Sequence, residues 1–308
     1  MNPAEAMLKE FLAKHPEVNN GDLSLDEINR LLGEHQHQIN ERPEEDFDGV
    51  SREQMHWLLH DPMGEKSLIG FKQQISEESL SKVPLLALSD LLIAQIRQDC
   101  KLKLTAGGNL PVRICEYLNS QNLIDWKYRA YLTRVQEENI PYLGPLKHYL
   151  VETKIVRKQG NSLVLTKEGE RIAEANTSER FIRLFMYVAG SYHWGNFYRI
   201  QDDGMYGQLG WAFSLYLLAK YGDVPRDSRF YSDKVMRAYF RDLYEKREDK
   251  LFQERIHVFE DAYAWRFFEV FAHWFGLVEI SSKTEHGTLL EDICVKKTPL
   301  FDQLFSVL

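Results

Sequence analysis

The chain has 308 residues, 44% of them apolar and 27% charged, which is ordinary for a globular protein and long enough for two domains with a large core. Its formal net charge of −8 excludes a protein that coats nucleic acid over its whole surface, since phosphate binding needs a cationic face; only a local basic patch could serve that role. The three cysteines, Cys100, Cys115 and Cys294, show no CxxC spacing and lie in apolar contexts, so they read as free buried thiols in a reducing compartment. The start, MNPAEAMLKEF, lacks the apolar core and cleavage site of a secretory signal, and the most apolar run, Trp211 to Ala219, falls short of the roughly 20 residues that span a bilayer. A cytoplasmic protein without membrane contact is expected.

Residues 1 to 40 predict two helices. Ser24 and Glu27 form a capping box at the second, ahead of Leu25, Ile28, Leu31 and Leu32. Glu41 to Asp48, ERPEEDFD, is acidic and carries a proline, the pattern of an extended, self-repelling linker. Ser51 and Gln54 make a second capping box for a helix with Met55, Leu58 and Leu59 on one face, ended by Pro62. Pro84 to Gln98 is a further amphipathic helix.

From Lys101 to Glu174 the pattern predicts a winged-helix module. After a strand, Asn109 and Pro111 open a helix with Ile114, Cys115 and Leu118 on its apolar side, and Tyr128, Tyr131, Leu132 and Val135 follow at helical spacing. Leu143, Leu146 and Leu150 mark a third helix. Two short β runs come next, Thr153 to Val156 and Ser162 to Thr166, and Gly160-Asn161 between them suits the positive φ angles of a tight hairpin. Thr166 then caps another helix, with Glu168 and Glu170 in its first turn.

The remainder is nearly all helical. Phe181, Leu184, Phe185 and Val188 form one stripe, and HWGNFYRIQDDGMYG follows as a glycine-bearing loop. Leu209 to Lys220 is apolar on almost every side and predicts a buried helix. Ser232 is expected to cap the next, whose core face is Val235, Met236, Tyr239, Phe240 and Leu243. Tyr263, Phe267, Val270, Phe271 and Trp274 define a helix stopped by Gly276, followed by strands Leu277 to Ile280 and Ile293 to Lys296 and a helix opened by Thr298-Pro299. This repeats the grammar of residues 142 to 174 and predicts a second winged-helix-like unit. The expected fold is mainly α (α+β), with an N-terminal helical arm and linker (1–45), a helical lead-in and winged-helix domain (46–176), and a helical domain ending in the second unit (177–308).

The segments GVSREQMHWLLHDPMGEKSLIGF, LKLTAGGNLPVRICEYL, LVLTKEG, HWGNF and FSLYLLAKYGD span most of the chain from about Asp46 onward. On them the chain resembles a family of uncharacterised bacterial proteins with winged-helix-like modules, some encoded beside plasmid open reading frames. The resemblance implies a shared fold and a bacterial, cytoplasmic setting. It carries no catalytic motif.

Three groups of residues could carry chemistry. Lys154, Arg157, Lys158, Lys167 and Arg171 cluster around the wing, with Lys147 and His148 on the helix before it; such residues could lie along a phosphate backbone or an acidic partner. That helix lacks Arg, Asn or Gln for bidentate base contacts and ends in an acid, which favours protein over DNA. His56 and His60, at i and i+4 on a capped helix, could share a divalent metal, although Trp57 stands where a zinc-protease motif needs Glu; His35 and His37 lie further up the chain. The HWGNF loop with Asp202 and Asp203 offers a histidine and paired carboxylates for acid–base work. Gly204, Gly207 and Gly210 match neither the dinucleotide fingerprint nor a P-loop, and no GxSxG occurs. The reading is a non-enzymatic binding protein, a protein-interaction or regulatory adaptor that uses no cofactor, with a DNA-binding regulator and a metal-dependent enzyme at His56 and His60 as alternatives. A protein partner or self-association is expected.

Overall fold

The computed structural model describes residues 3–20, 23–126, 129–197, 204–282 and 293–308, which are mainly helical with three small antiparallel sheets. Helices α1 (Pro3–Lys14) and α2 (Leu25–Asn40) form an arm. Both hydrogen bonds of the capping box are present: the Glu27 N–H reaches the Ser24 hydroxyl, and the Ser24 N–H reaches the Glu27 carboxylate at 2.8 Å. Phe11 and His35 pack inside the arm, and Arg42 closes it on Glu10 at 2.7 Å.

The acidic stretch after α2 is not an extended linker. Glu45–Phe47 is a 3-10 turn, and Asp48 takes a left-handed φ of 58°. Repulsion is quenched because the carboxylates meet cations from far along the chain: Asp46 and Glu45 accept from Arg237 at 2.8 and 3.0 Å, and Asp48 accepts from Lys220, Tyr221 and Lys234. Helix α3 (Arg52–His60) follows with its Ser51–Gln54 box intact, then β1 (Ile69–Phe71), α4 (Glu77–Leu80) and α5 (Pro84–Gln98).

From α5 the chain makes β2 (Leu102–Lys103), α6 (Val112–Ser120), α7 (Leu143–Glu152), β3 (Val156–Lys158) and β4 (Ser162–Leu165), and the sheet order is β2-β4-β3. Leu163 pairs with Leu102 on one side and Lys158 on the other. Gly160, at φ +61°, turns the hairpin. The first β run starts later than Thr153, because the Thr153 hydroxyl donates to the Tyr149 carbonyl at 2.6 Å and ends α7, and Lys154 turns left-handed. The helix expected through Tyr131 and Val135 is replaced by 3-10 turns at Arg129–Tyr131 and Glu137–Asn139, with Tyr131 exposed; Tyr128 lies outside the described residues. Thr166 caps α8 (Lys167–Glu174), accepting from the Gly169 N–H at 2.9 Å.

Helix α9 (Thr177–Met186) runs into a π-helical turn, Tyr187–Ser191. Arg180 on α9 reaches back to Asp90 on α5 at 3.0 Å. After the kinked turn α10 (Met205–Gln208) come α11 (Trp211–Tyr221), β5 (Arg226–Asp227), α12 (Ser228–Tyr239), α13 (Arg241–Glu245) and α14 (Gln253–Tyr263), which continues as π-helix through Ala272. Strands β6 (Val278–Ser282) and β7 (Ile293–Lys297), α15 (Pro299–Leu304) and β8 (Phe305–Val307) complete the chain. Asp227, not Ser232, caps α12, accepting from the Arg229 N–H at 2.8 Å; Ser232 is buried a turn later and donates to the Arg229 carbonyl.

The second sheet has the order β5-β7-β6. Helix, two-residue strand, helix, helix, strand, strand, with the last strand central: α11 to β7 repeats α5 to β4, with α13 as an addition. A helix preceded by threonine follows each, at Thr166 and Thr298. One contiguous core joins both halves. At its centre the Phe185 ring lies 5.2 Å from Phe271, 4.9 Å from Phe275, 5.3 Å from Phe71 and 5.4 Å from Phe305, spacings at which aromatic edges and faces attract. Strand β8 pairs with β1, tying the chain's end to the segment before α4. Among the described residues no helix is long and apolar enough to cross a membrane.

Candidate functional site

The hairpin β3–β4 is held by its own side chains. Asn161 Nδ2 donates to the Leu104 and Thr105 carbonyls at 3.0 and 2.9 Å, which pins the tip to the segment after β2. Lys154, Arg157, Lys158 and Lys167 are exposed, and among the described residues none of them forms an ion pair. Lys101 and Lys103 are likewise exposed and without an ion pair among the described residues, and the β2–β4 pairing sets them at the opposite edge of the sheet from β3. Sequence reasoning missed these two, because only the sheet order places β2 beside the hairpin.

The acids that would dilute this edge are already committed. Glu168 accepts from Arg171 at 2.9 Å and from Arg183 at 2.8 Å, and the Arg171 hydrogen bond holds its carboxyl at about 2. Arg97 takes Glu170 and Glu174 at 3.1 and 2.8 Å. Arg171 is consumed by the same network, on Glu168 and Glu179, so it drops out of the contact set. Its partners raise its own pKa, so it stays charged.

Lys147 drops out as well. Its ammonium is largely buried against the Glu137 carboxylate and donates to the Gly108 carbonyl at 3.2 Å, while the other Glu137 oxygen accepts from the Leu110 N–H at 2.6 Å. It therefore braces the turn before α6. Most of the rest of α7 is engaged too, with His148 and Glu152 left exposed. Leu143, Leu146, Tyr149 and Leu150 are buried, the His148 ring sits 6.1 Å from Tyr192, and Tyr149 sits 5.3 Å from Tyr187. Burial, then the Glu152 carboxylate, pushes the Tyr187 hydroxyl's pKa up, and it donates to that carboxylate. The π turn thus roofs α7. What remains is a polar cleft of about 480 Å³ whose walls include Glu137, Glu138, His148, Tyr192 and Asn196. The matching helix of the second unit is more enclosed still: Phe267, Phe268, Phe271 and Trp274 are buried.

His56 and His60 lie with ring centroids 4.5 Å apart, tilted by 46°, on the exposed face of α3. Among the described residues no third donor completes a set around that pair. His35 is buried in the arm. His37, by contrast, reaches Glu41 at 3.3 Å and Glu53 at 3.4 Å, and His56 lines the same cleft.

HWGNF is an anchor. Trp194 is fully buried and donates its indole N–H to the Val188 carbonyl at 2.7 Å. Gln208 clamps the loop, accepting from the Trp194 N–H at 3.0 Å and donating to the Tyr192 carbonyl at 2.8 Å. Gly204, Gly207 and Gly210 all have positive φ and serve the turns. Asp202 and Asp203 lie outside the described residues. Arg266, fully buried and donating to the Tyr206 carbonyl at 3.0 Å, was not singled out in the sequence because its neighbours AW and FF read only as core. Of the cysteines, Cys115 is buried and desolvation pushes its thiol up to about 12, Cys294 is half-buried, and Cys100 is exposed at the end of α5, where the buried reading fails because it sits at a left-handed turn.

Compared with protein-family models, with curated proteins and with solved structures, the chain matches none of them.

Proposed function

We propose that the chain is a tandem winged-helix adaptor without catalytic chemistry of its own, which meets an acidic protein partner through the basic edge of its first unit. The order β2-β4-β3 with α5, α6 and α7, and its repeat at β5-β7-β6, follows the winged-helix plan of three helices and a three-stranded sheet. In a helix-turn-helix reader the second helix must offer polar side chains to a groove. One observation carries the adaptor reading: α7 is buried along Leu143, Leu146, Tyr149 and Leu150 and leaves only His148 and Glu152 exposed, and the π extension of α14 is buried at Arg266, Phe267, Phe268, Val270 and Phe271, so neither candidate reading stretch presents a row of polar side chains. The surface left to a partner is the edge strand β3 with Arg157 and Lys158, while Lys101 and Lys103 add exposed charge at the opposite edge, beyond β4. On a chain of net charge −8 such a concentration selects an acidic contact by complementarity. A photo-crosslinking residue placed at Lys158 tests this in cells. The adaptor reading expects a discrete protein adduct that is absent when Lys250, equally exposed, carries the probe; the same adducts from both positions would refute it.

A second reading is favoured by the same free cations. A wing can run along a nucleic-acid backbone without base readout, using charge alone. An adduct at Lys158 that nuclease removes would select this reading over the first.

A further inference from the structure

We propose that His37, Glu53 and His56, with Glu41 behind them, form a binding site for one divalent ion of the zinc class, which staples α2 to α3. His37 and Glu41 stand at i and i+4 at the end of α2; Glu53 and His56 stand at i and i+3 at the start of α3. Each pair shares a helix face, and the fold turns the two faces together across a cleft of about 510 Å³. His37 Nδ1 lies 3.4 Å from Glu53 Oε2, and His37 Nε2 lies 3.3 Å from Glu41 Oε1. One ligand atom from each of His37, Glu41 and Glu53 falls within 4.8 Å of the others. Zinc binds nitrogen and carboxylate oxygen at about 2.0–2.2 Å in a tetrahedron, which sets neighbouring donors roughly 3.3–3.6 Å apart. The His37 Nδ1–Glu53 pair already stands at that separation.

One imidazole cannot give both nitrogens to one ion, and this decides the roles. The ion sits on the Nδ1 side beside Glu53, and His56, a turn further along α3 and lining the same cleft, turns inward from outside the 4.8 Å cluster to supply the third donor. The Nε2–H then donates to Glu41, the carboxylate–histidine–metal pattern that fixes ring tautomer and orientation. Imidazole with carboxylate suits zinc, manganese, iron or nickel better than magnesium, which prefers oxygen alone. Arg52 also lines the cleft, but Glu44 holds its guanidinium at 2.9 Å and offsets its repulsion of a cation. The consequence is structural. The arm joins α3 through residues 41 to 51 and the Pro43–Ser51 bridge, and an ion bound by both helices would add a direct cross-link between them.

The test is isothermal titration of the full-length, chelator-stripped protein with Zn²⁺, with Co²⁺ as the absorbing probe and Mg²⁺ as the hard-ion control. One equivalent of Zn²⁺ should bind, Co²⁺ should give the intense visible bands of four-coordination, and Mg²⁺ should not compete. His37→Ala and Glu53→Gln should each weaken Zn²⁺ binding about 100-fold and Glu41→Gln about tenfold, in line with the loss of a ligand and of its orienting partner. His60→Ala should change it less than twofold. These side chains are exposed or half-buried, and far-ultraviolet circular dichroism will verify that the variants fold. No stoichiometric Zn²⁺ binding, equal affinity for Mg²⁺, or binding unchanged in the His37→Ala, Glu53→Gln double variant would each overturn the site and leave two ordinary surface ion pairs.

Discussion

Tyr221 donates its hydroxyl to the Asp48 carboxylate at 2.8 Å, although the two residues are 173 positions apart in the chain. Lys220 and Lys234 complete the set around the same carboxylate, and Lys234 lies 5.0 Å over the Tyr221 ring. The segment that looks most like a free acidic linker is therefore what fastens the first third of the chain to α11 and α12.

Asp48 supplies a test of that fastening with a defined pH signature. Burial pushes its carboxyl up, and hydrogen bonds from Lys234, Tyr221 and Lys220 overcome this and hold it below the usual range. A depressed folded pKa stabilises above the unfolded value of about 3.9, and the benefit disappears as pH falls through the folded value. Asp48→Asn should cost about 2–4 kcal/mol at pH 7, because it leaves two ammonium groups without their counter-charge. Chemical denaturation of both proteins should show a constant gap from about pH 5 to 8 that narrows as acid protonates the folded carboxylate. A gap that widens with acid would contradict the assignment.

The Lys147–Glu137 pair is the more buried one and should be the more sensitive to losing one member. Lys147→Met strands a carboxylate that also holds the Leu110 N–H, and a cost of about 3–5 kcal/mol is expected in urea unfolding. Binding through the wing should survive in whatever fraction folds. If Lys147→Met instead left stability intact and weakened binding, Lys147 would return to the contact surface.

What the sequence shows of this fold follows from how local each signal is. The boxes at Ser24–Glu27 and Ser51–Gln54 and the Gly160 turn need only a few neighbouring residues, and all three are in place. The Tyr131–Val135 stripe does not form a helix, and the chain leading into it is held by other bonds: His273 meets the Asp125 carbonyl at 2.7 Å, and Arg129 reaches the Asn119 carbonyl at 2.9 Å. β5 is two residues long and is defined by the pairing of Arg226 with Val295 and Asp227 with Cys294, so the strand that completes the second unit carries no pattern of its own. Lys147 reads as a surface cation until Glu137 is placed beside it. The His37–Glu53 contact likewise depends on how α2 returns to α3.

Gly169 tests the packing under the wing. A methyl group built there would lie 2.0 Å from the Ile155 carbonyl oxygen and 2.9 Å from the Leu165 side chain. The obstacle is backbone, which cannot rotate away, so α8 would have to lift from the hairpin. Gly169→Ala should therefore destabilise by about 2–3 kcal/mol despite the better helix propensity of alanine, whereas Gly144→Ala, with nothing within 4 Å, should be near neutral. Thermal unfolding of the two variants side by side separates the effects.

Charge reversal on the wing should act on binding and not on folding. Arg157 and Lys158 are exposed and make no ion pair among the described residues, so Arg157→Glu, Lys158→Glu should change stability by no more than about 0.5 kcal/mol. Their effect on an anionic partner is electrostatic and therefore salt-dependent. With duplex DNA as the probe, each phosphate contact adds about 0.9 to the slope of log affinity against log salt, and losing two should flatten that slope by about 2. With an acidic peptide as the probe, the loss should be largest at low salt and shrink as ionic strength shortens the Debye length from about 10 Å at 0.1 M. Lys147→Met supplies the comparison, since it removes one positive charge from the neighbouring helix while leaving the exposed edge intact. Losses in log affinity in proportion to the charge removed, about four for the edge variant to one for Lys147→Met, would mean that total charge, and not this surface, governs the interaction.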